Sequence, residues 1–125
     1  MAEDFLQLFH HETDVVTLRA GEELFKKGDT GRHMYVIKSG EVQVIVGNHV
    51  FETVSAGGLI GEMALISDDP RSATVRATVE STLVPIDQKR FAFLTQQTPF
   101  FALRVMRLMS DRLRKMNNRA TSISE

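Results

Sequence analysis

Residues 24–46 read LFKKGDTGRHMYVIKSGEVQVIV, and the placing of glycine within them decides the fold class. Gly28, Gly31 and Gly40 cut the stretch into short runs rich in Val, Ile, Phe and Tyr, the chemistry of strands joined by tight turns. In the last run Val42, Val44 and Val46 alternate with Gln43 and Ile45, as in a strand mostly buried on one face. The same signature continues in both directions. Strands are predicted at 15–18, 24–26, 34–38, 41–46, 50–54, 73–78 and 82–86. Turn chemistry stands between them at Ala20-Gly21, Gly28-Asp29, Ser39-Gly40, Gly47-Asn48 and Gly57-Gly58. Strands this short with turns this frequent predict an α+β, mainly β fold: an antiparallel jelly-roll β-barrel over residues 15–86.

Helices flank the barrel. Residues 1–12 place Phe5, Leu6, Leu8 and Phe9 at helical spacing. Asp87 is an N-cap for a short helix through Phe91 and Leu94. Thr98 followed by Pro99 is a second start signal, for a helix expected to reach about Ala120 before a polar tail over 120–125. Along it Ala102, Met106, Met109, Leu113, Met116 and Ala120 repeat at alternating steps of four and three, a heptad seam. Phe101, Val105 and Leu108 widen the apolar face in the first half only, and Arg112 ends that second stripe. Methionine stripes are commonly plain core. This helix outlasts its broad apolar face, so the seam is expected to take a partner helix and make a homodimer.

With 125 residues the chain has the length of a single domain, 1–125. Apolar side chains make up 42% and charged ones 25%, ordinary for a globular protein. Fifteen basic against sixteen acidic residues lack the basic excess of a dedicated nucleic-acid binder. The balance is uneven. Residues 1–99 carry nine basic and fourteen acidic side chains, whereas residues 100–119 carry six basic and one acidic. That basic segment is one amphipathic helix whose seam is assigned to protein contacts, so no specific DNA binding is expected. The absence of cysteine excludes disulfides, zinc–thiolate sites and thiol nucleophiles. The longest charge-free run, residues 91–103, contains Thr, Gln and Pro and falls short of the roughly 20 apolar residues that span a bilayer. No signal-peptide pattern opens the chain. A cytoplasmic domain without membrane insertion is expected.

Residues 57–77, GGLIGEMALISDDPRSATVRA, carry the chemistry. Gly61 and the following Glu62-Met63-Ala64-Leu65-Ile66 can open into a turn of helix whose backbone N–H groups face outward toward an anion. Arg71 supplies a planar fork for phosphate oxygens, and Ser72 adds a hydroxyl and a backbone donor. Glu62 would repel a phosphate, but beside a sugar it can accept a hydroxyl hydrogen bond, with Arg71 between the two negative charges. Taken alone, the same residues also read as an ion pair beside an ordinary glycine turn.

The run GEMALISDDPRSATVRA resembles the phosphate-binding cassette of cyclic nucleotide-binding domains. The upstream spacing of Gly28, Gly31, Tyr35, Ile37, Gly40 and Val42 is similar to that family's first barrel half, and the two C-terminal helices over 87–119 correspond to its B and C helices. The resemblance covers essentially the whole chain. It implies a sensor domain that binds a cyclic purine mononucleotide, with cAMP favoured over cGMP, and signals through its C-terminal helix. It also implies no enzymatic activity, no metal and no further cofactor. Gly61 and Glu62 fall at the ribose contacts, Arg71 at the cyclic phosphate and Ser72 at the next phosphate contact. Met63 is placed for a backbone or apolar contact, and Met116 and Asn117 are candidates for the base. Ile60 departs from the family's aromatic before the cassette glycine, a change of volume expected to affect packing only.

In the transcription factors of this family a helix-turn-helix follows the domain, and none is encoded in these residues. Two rivals stand beside this reading. A metal-dependent jelly-roll enzyme needs several inward histidines, whereas His10, His11, His33 and His49 form no H-x-H pair. A dimerisation module of the same fold with no ligand, or a different one, does not need the intact Gly61, Glu62, Arg71 and Ser72.

Overall fold

The computed structural model describes residues 6–9 and 11–124. The α1 helix is Leu6–Phe9, and eight strands follow: β1 Val16–Leu18, β2 Glu23–Phe25, β3 Met34–Ser39, β4 Glu41–Val46, β5 His49–Ser55, β6 Leu59–Ile60, β7 Thr74–Ala77 and β8 Ser81–Ile86. A short 3-10 helix, Glu62–Leu65, sits between β6 and β7, and α2 Gln88–Gln97 and α3 Pro99–Ser124 close the chain. All seven predicted strands form. Of the helix expected over 1–12, Leu6–Phe9 is helical, residues 1–5 and 10 lie outside the described residues, and the Glu12 N–H closes a turn onto the Phe9 carbonyl (2.9 Å). Two elements differ from expectation. Strand β6, two residues long, had no periodicity to betray it. The polar tail expected over 120–125 is instead helical through Ser124.

The strands form two antiparallel sheets, ordered β1-β8-β3-β6 and β2-β7-β4-β5. Every connection except the β4–β5 hairpin carries the chain from one sheet to the other, which makes the fold a jelly roll of two sheets, not a closed barrel. Leu18, Ile37, Val42, Val54, Ile60, Val75, Ala77 and Leu83, drawn from both sheets, form one buried cluster. Burial in β4 fades from Val42 toward the exposed Val46 at the hairpin end, so the alternation there is one-sided only near the core.

The turn from β3 to β4 shows why glycine punctuates the sequence. Gly40 has φ +97°, and a Cβ there would stand 2.2 Å from the Ser81 Oγ. That buried hydroxyl accepts from the Glu41 N–H (3.0 Å) and donates to the Val79 carbonyl (2.9 Å), joining the corner to the start of β8. Only a residue without a side chain fits the crossing.

The chain divides into two units, Met1–Arg90 and Phe91–Glu125. In the second, the Asp87-capped α2 leads into α3, whose first turn closes through the Phe101 N–H on the Thr98 carbonyl (2.8 Å). The Phe91 and Phe101 rings meet edge to face, with centroids 5.5 Å apart. Along α3, Phe101 and Val105 are buried, whereas Met106, Leu113 and Met116 of the heptad seam are 57%, 61% and 49% exposed. The Ala120 side chain lies outside the described residues. The expected N-cap is present at Asp87, whose Oδ1 accepts from the Arg90 N–H (2.8 Å).

Within the first unit, Glu12 gathers three segments. Its carboxylate pairs with Arg90, its carbonyl accepts from Lys38 Nζ (2.6 Å), and the Arg90 guanidinium lies 5.5 Å from the Phe9 ring centroid. The Arg90 hydrogen bond holds the Glu12 carboxyl below its ordinary value of 4.5. A depressed carboxyl stabilises the fold fully above the unfolded-state value and ceases to do so as pH falls through the lower folded value. Thermal unfolding from pH 6 to pH 3 is therefore expected to show a wild-type loss of melting temperature below about pH 4.5 that Glu12→Gln reduces. Parallel wild-type and Glu12→Gln curves would contradict this.

Candidate functional site

Arg71 reaches its place through backbone pairing. Strand β2 pairs β7 with Phe25 opposite Val75, so the loop after β2 runs beside the residues before β7. The Arg71 N–H donates to the Asp29 carbonyl (2.8 Å), and the Gly28 N–H donates to the Arg71 carbonyl (2.8 Å). The Lys27 N–H donates to Thr74 Oγ1 (3.0 Å), extending the same seam. Asp29 folds the loop itself, its Oδ2 accepting from the Lys26 N–H (2.9 Å).

A second pairing, β3 with β6 through Tyr35 opposite Ile60, brings Gly61 beside His33. Gly61 caps the 3-10 helix in a left-handed conformation, φ +75° and ψ 17°, which glycine alone adopts without strain. Glu62, its first residue, is buried.

The Arg71 guanidinium joins the two loops. Nη2 donates to the His33 carbonyl (2.8 Å), and Nη1 donates more weakly to the Gly61 carbonyl (3.3 Å). The guanidinium carbon lies 3.9 Å from the Phe25 ring centroid, a close cation–π contact. Burial pushes the Arg71 pKa below its ordinary value, opposed by Tyr35, Asp29 and Glu62. Burial likewise raises the Tyr35 phenol, with the Arg71 charge opposing. One donor is left over: Arg71 Nε is buried and has no hydrogen-bond partner. Orphaned buried donors are uncommon and call for an explanation. A positively charged fork with one unsatisfied edge, beside a buried carboxylate, suits a ligand that offers an anion and a hydroxyl together.

The structure thus brings Gly61, Glu62 and Arg71 to one place. Ser72 follows Arg71 on an exposed bend, and Met63 is exposed on the 3-10 helix. Met116 and Asn117 lie on exposed turns of α3, in the second unit. Reading the sequence missed Phe25, Gly31 and the His33 carbonyl. Gly31 belongs here because a Cβ on it would stand 2.5 Å from Arg71 Nε and Nη2. Its part in the glycine spacing was visible, but its neighbour was not, because the two are 40 residues apart.

A sequence profile of the cyclic nucleotide-binding domain matches residues 15–98. The chain belongs to this family. Among relatives of this domain, a cyclic nucleotide-gated potassium channel of Rhizobium etli is 42% identical over 83 residues, 66% of this chain and 23% of the channel. The chain therefore spans about a quarter of that curated relative. Among solved structures, cAMP-bound PfPKA-R is 25% identical with a TM-score of 0.75, covering 85% of this chain and 36% of that one. The catabolite activator protein of Thermus thermophilus superposes with a TM-score of 0.81 at 23% identity, over 99% of this chain and 61% of that one, a likeness of fold. The family's regulatory binding fold is the jelly roll described above, and its members bind cAMP or cGMP.

The geometry separates two glycines of the cyclic nucleotide-binding domain by cost. Gly61→Ala forces a side chain into left-handed backbone, 2.9 Å from Arg71 Nη1 and 3.3 Å from the His33 carbonyl, and is expected to cost about 1–2 kcal/mol of stability. Gly31 is not in that conformation, and the three atoms nearest its Cβ all belong to the movable end of Arg71, so Gly31→Ala is expected to cost well under about 1 kcal/mol. Urea unfolding of both variants checks the order, and an equal or reversed cost would contradict the geometry.

Proposed function

We propose that this domain is a regulatory sensor of cyclic purine nucleotide, binding cAMP in preference to cGMP and passing occupancy on through its C-terminal helix without catalysing a reaction. The observation that carries this reading is the unsatisfied Arg71 Nε beside the buried Glu62. In it, Arg71 receives the cyclic phosphate, Ser72 adds a phosphate contact, Glu62 and Gly61 hold the ribose, and Met63 lends its backbone or apolar flank. Met116 and Asn117 are assigned to the base. The cAMP-bound relative supports the choice of nucleotide. A ligand that favours one of two conformations shifts their populations by its differential affinity, which is the physical content of sensing here.

Calorimetric titration with cAMP and cGMP is the test. One site per chain is expected, with cAMP the tighter ligand. Arg71→Ala is expected to weaken cAMP by about 2–5 kcal/mol, the scale for truncating one partner of a buried charge pair. Removing the 2′-hydroxyl of the nucleotide is expected to cost about 1–3 kcal/mol, with Glu62→Gln narrowing that gap. Unchanged affinity in Arg71→Ala would overturn the phosphate assignment, and equal affinity for 2′-deoxy-cAMP would overturn the ribose role of Glu62.

The exposed seam of Met106, Leu113 and Met116 supports a second element of the proposal, a homodimer through α3. Light scattering at high protein concentration is expected to give a dimer for the wild type and a monomer for Met109→Glu combined with Leu113→Glu. A monomeric wild type would contradict it.

A further inference from the structure

Arg71 is held by more than its hydrogen bonds. Both acceptors are backbone carbonyls on the loops around it, at Gly61 and His33, and they constrain the fork at its tips. The ring of Phe25, on a strand 46 residues earlier in the chain, lies under the guanidinium carbon, 3.9 Å from it. Phe25 is in turn braced by Tyr35, whose ring centroid is 6.5 Å from its own, and Tyr35 by His33 at 6.2 Å. Gly31 leaves open the volume that Nε, Nη2 and the guanidinium carbon occupy: a Cβ there would fall 2.5, 2.5 and 2.7 Å from them. The result is a guanidinium desolvated on its ring face, with its tips committed and its Nε edge uncommitted.

We propose that Phe25 is a positioning residue for anion capture: its ring, together with the space left by Gly31, holds Arg71 in the pose from which its buried, unpaired Nε–H can pair with a phosphate. The inference rests on the reading of Arg71 as the phosphate ligand. It adds that a pre-oriented fork is part of the affinity, because a side chain already held in its binding pose loses less freedom when the ligand arrives. A phenylalanine that merely filled space would not interact with the arginine charge, so the two roles separate in a double-mutant cycle.

The experiment has a ligand-free and a ligand-bound arm, both on the whole chain. In the ligand-free protein, the Arg71 Nε–H proton resonance, assigned through Arg71→Lys, is expected to be shifted by the Phe25 ring and slow to exchange with water. Phe25→Leu is expected to abolish both features. In the bound arm, Phe25→Leu is expected to weaken cAMP by about 3- to 30-fold, the range of a desolvated cation–π contact. Phe25→Tyr is expected to restore affinity, and in an Arg71→Ala background Phe25→Leu should have no further effect. Gly31→Ala, which displaces the guanidinium while sparing the fold, provides an independent variant and is expected to weaken cAMP with a near-wild-type melting temperature. The inference is overturned if Phe25→Leu weakens cAMP equally with and without Arg71, or if the Nε–H resonance is the same in Phe25→Leu and wild type. A wild-type chain that retains the ring-shifted resonance but binds neither cAMP nor cGMP overturns the phosphate reading, leaving Phe25 as a brace for Arg71 alone.

Discussion

The Arg71 guanidinium occupies a position that three segments must agree on. β2 supplies Phe25, the loop between β2 and β3 supplies Gly31 and the His33 carbonyl, and the turn after β6 supplies Gly61. Strand β2 belongs to one sheet and β6 to the other, so the site exists only when both sheets are assembled. This is why the sheet switches matter to function. A fold in which neighbouring strands were also sequence neighbours would not bring the β2 end and the β7 start together.

The energetics of the site are those of a charge taken partly out of water. Burial pushes the Arg71 pKa down, while the charges of Asp29 and Glu62 oppose that shift. The guanidinium is therefore balanced instead of strongly satisfied: two carbonyl acceptors, one aromatic face and an Nε without a hydrogen-bond partner. In the proposed binding mode an anion at that edge adds a charge-assisted hydrogen bond to a donor that has no partner. The first unit is meanwhile stabilised at a distance from the site, through the Glu12, Lys38 and Arg90 contacts and the Ser81 corner.

Much of this was legible in the sequence because it is written in local chemistry. Glycine at Gly28, Gly40 and Gly61 marks left-handed turns, and the strands between announced themselves by composition. The cassette residues Gly61, Glu62 and Arg71 stood out by type and spacing. What was hidden is non-local. The pairing of β2 with β7, with a register shift between Glu23 and Phe25, sets the Phe25 contact, and no periodicity encodes it. Strand β6 is too short to show alternation, and its Leu59 and Ile60 are both buried, so it read as part of a loop. The last turn of α3 escaped because Thr121 and Ser122 are weak helix formers, whereas the backbone continues the ladder already nucleated upstream. The apolar stripes of α3 were separable in advance: Arg112 marks where the Phe101 and Val105 face ends, and the exposed Leu113 and Met116 continue the other.

The central claim is that the idle edge of Arg71 is where an anionic ligand enters. A crystal structure of the chain grown with cAMP tests it most directly. The account predicts a cyclic phosphate oxygen about 2.7–2.9 Å from Arg71 Nε, with the ribose hydroxyl against Glu62 and the Phe25 ring still stacked on the guanidinium. A nucleotide bound elsewhere, or one bound here while Arg71 Nε remains without a partner, would contradict it.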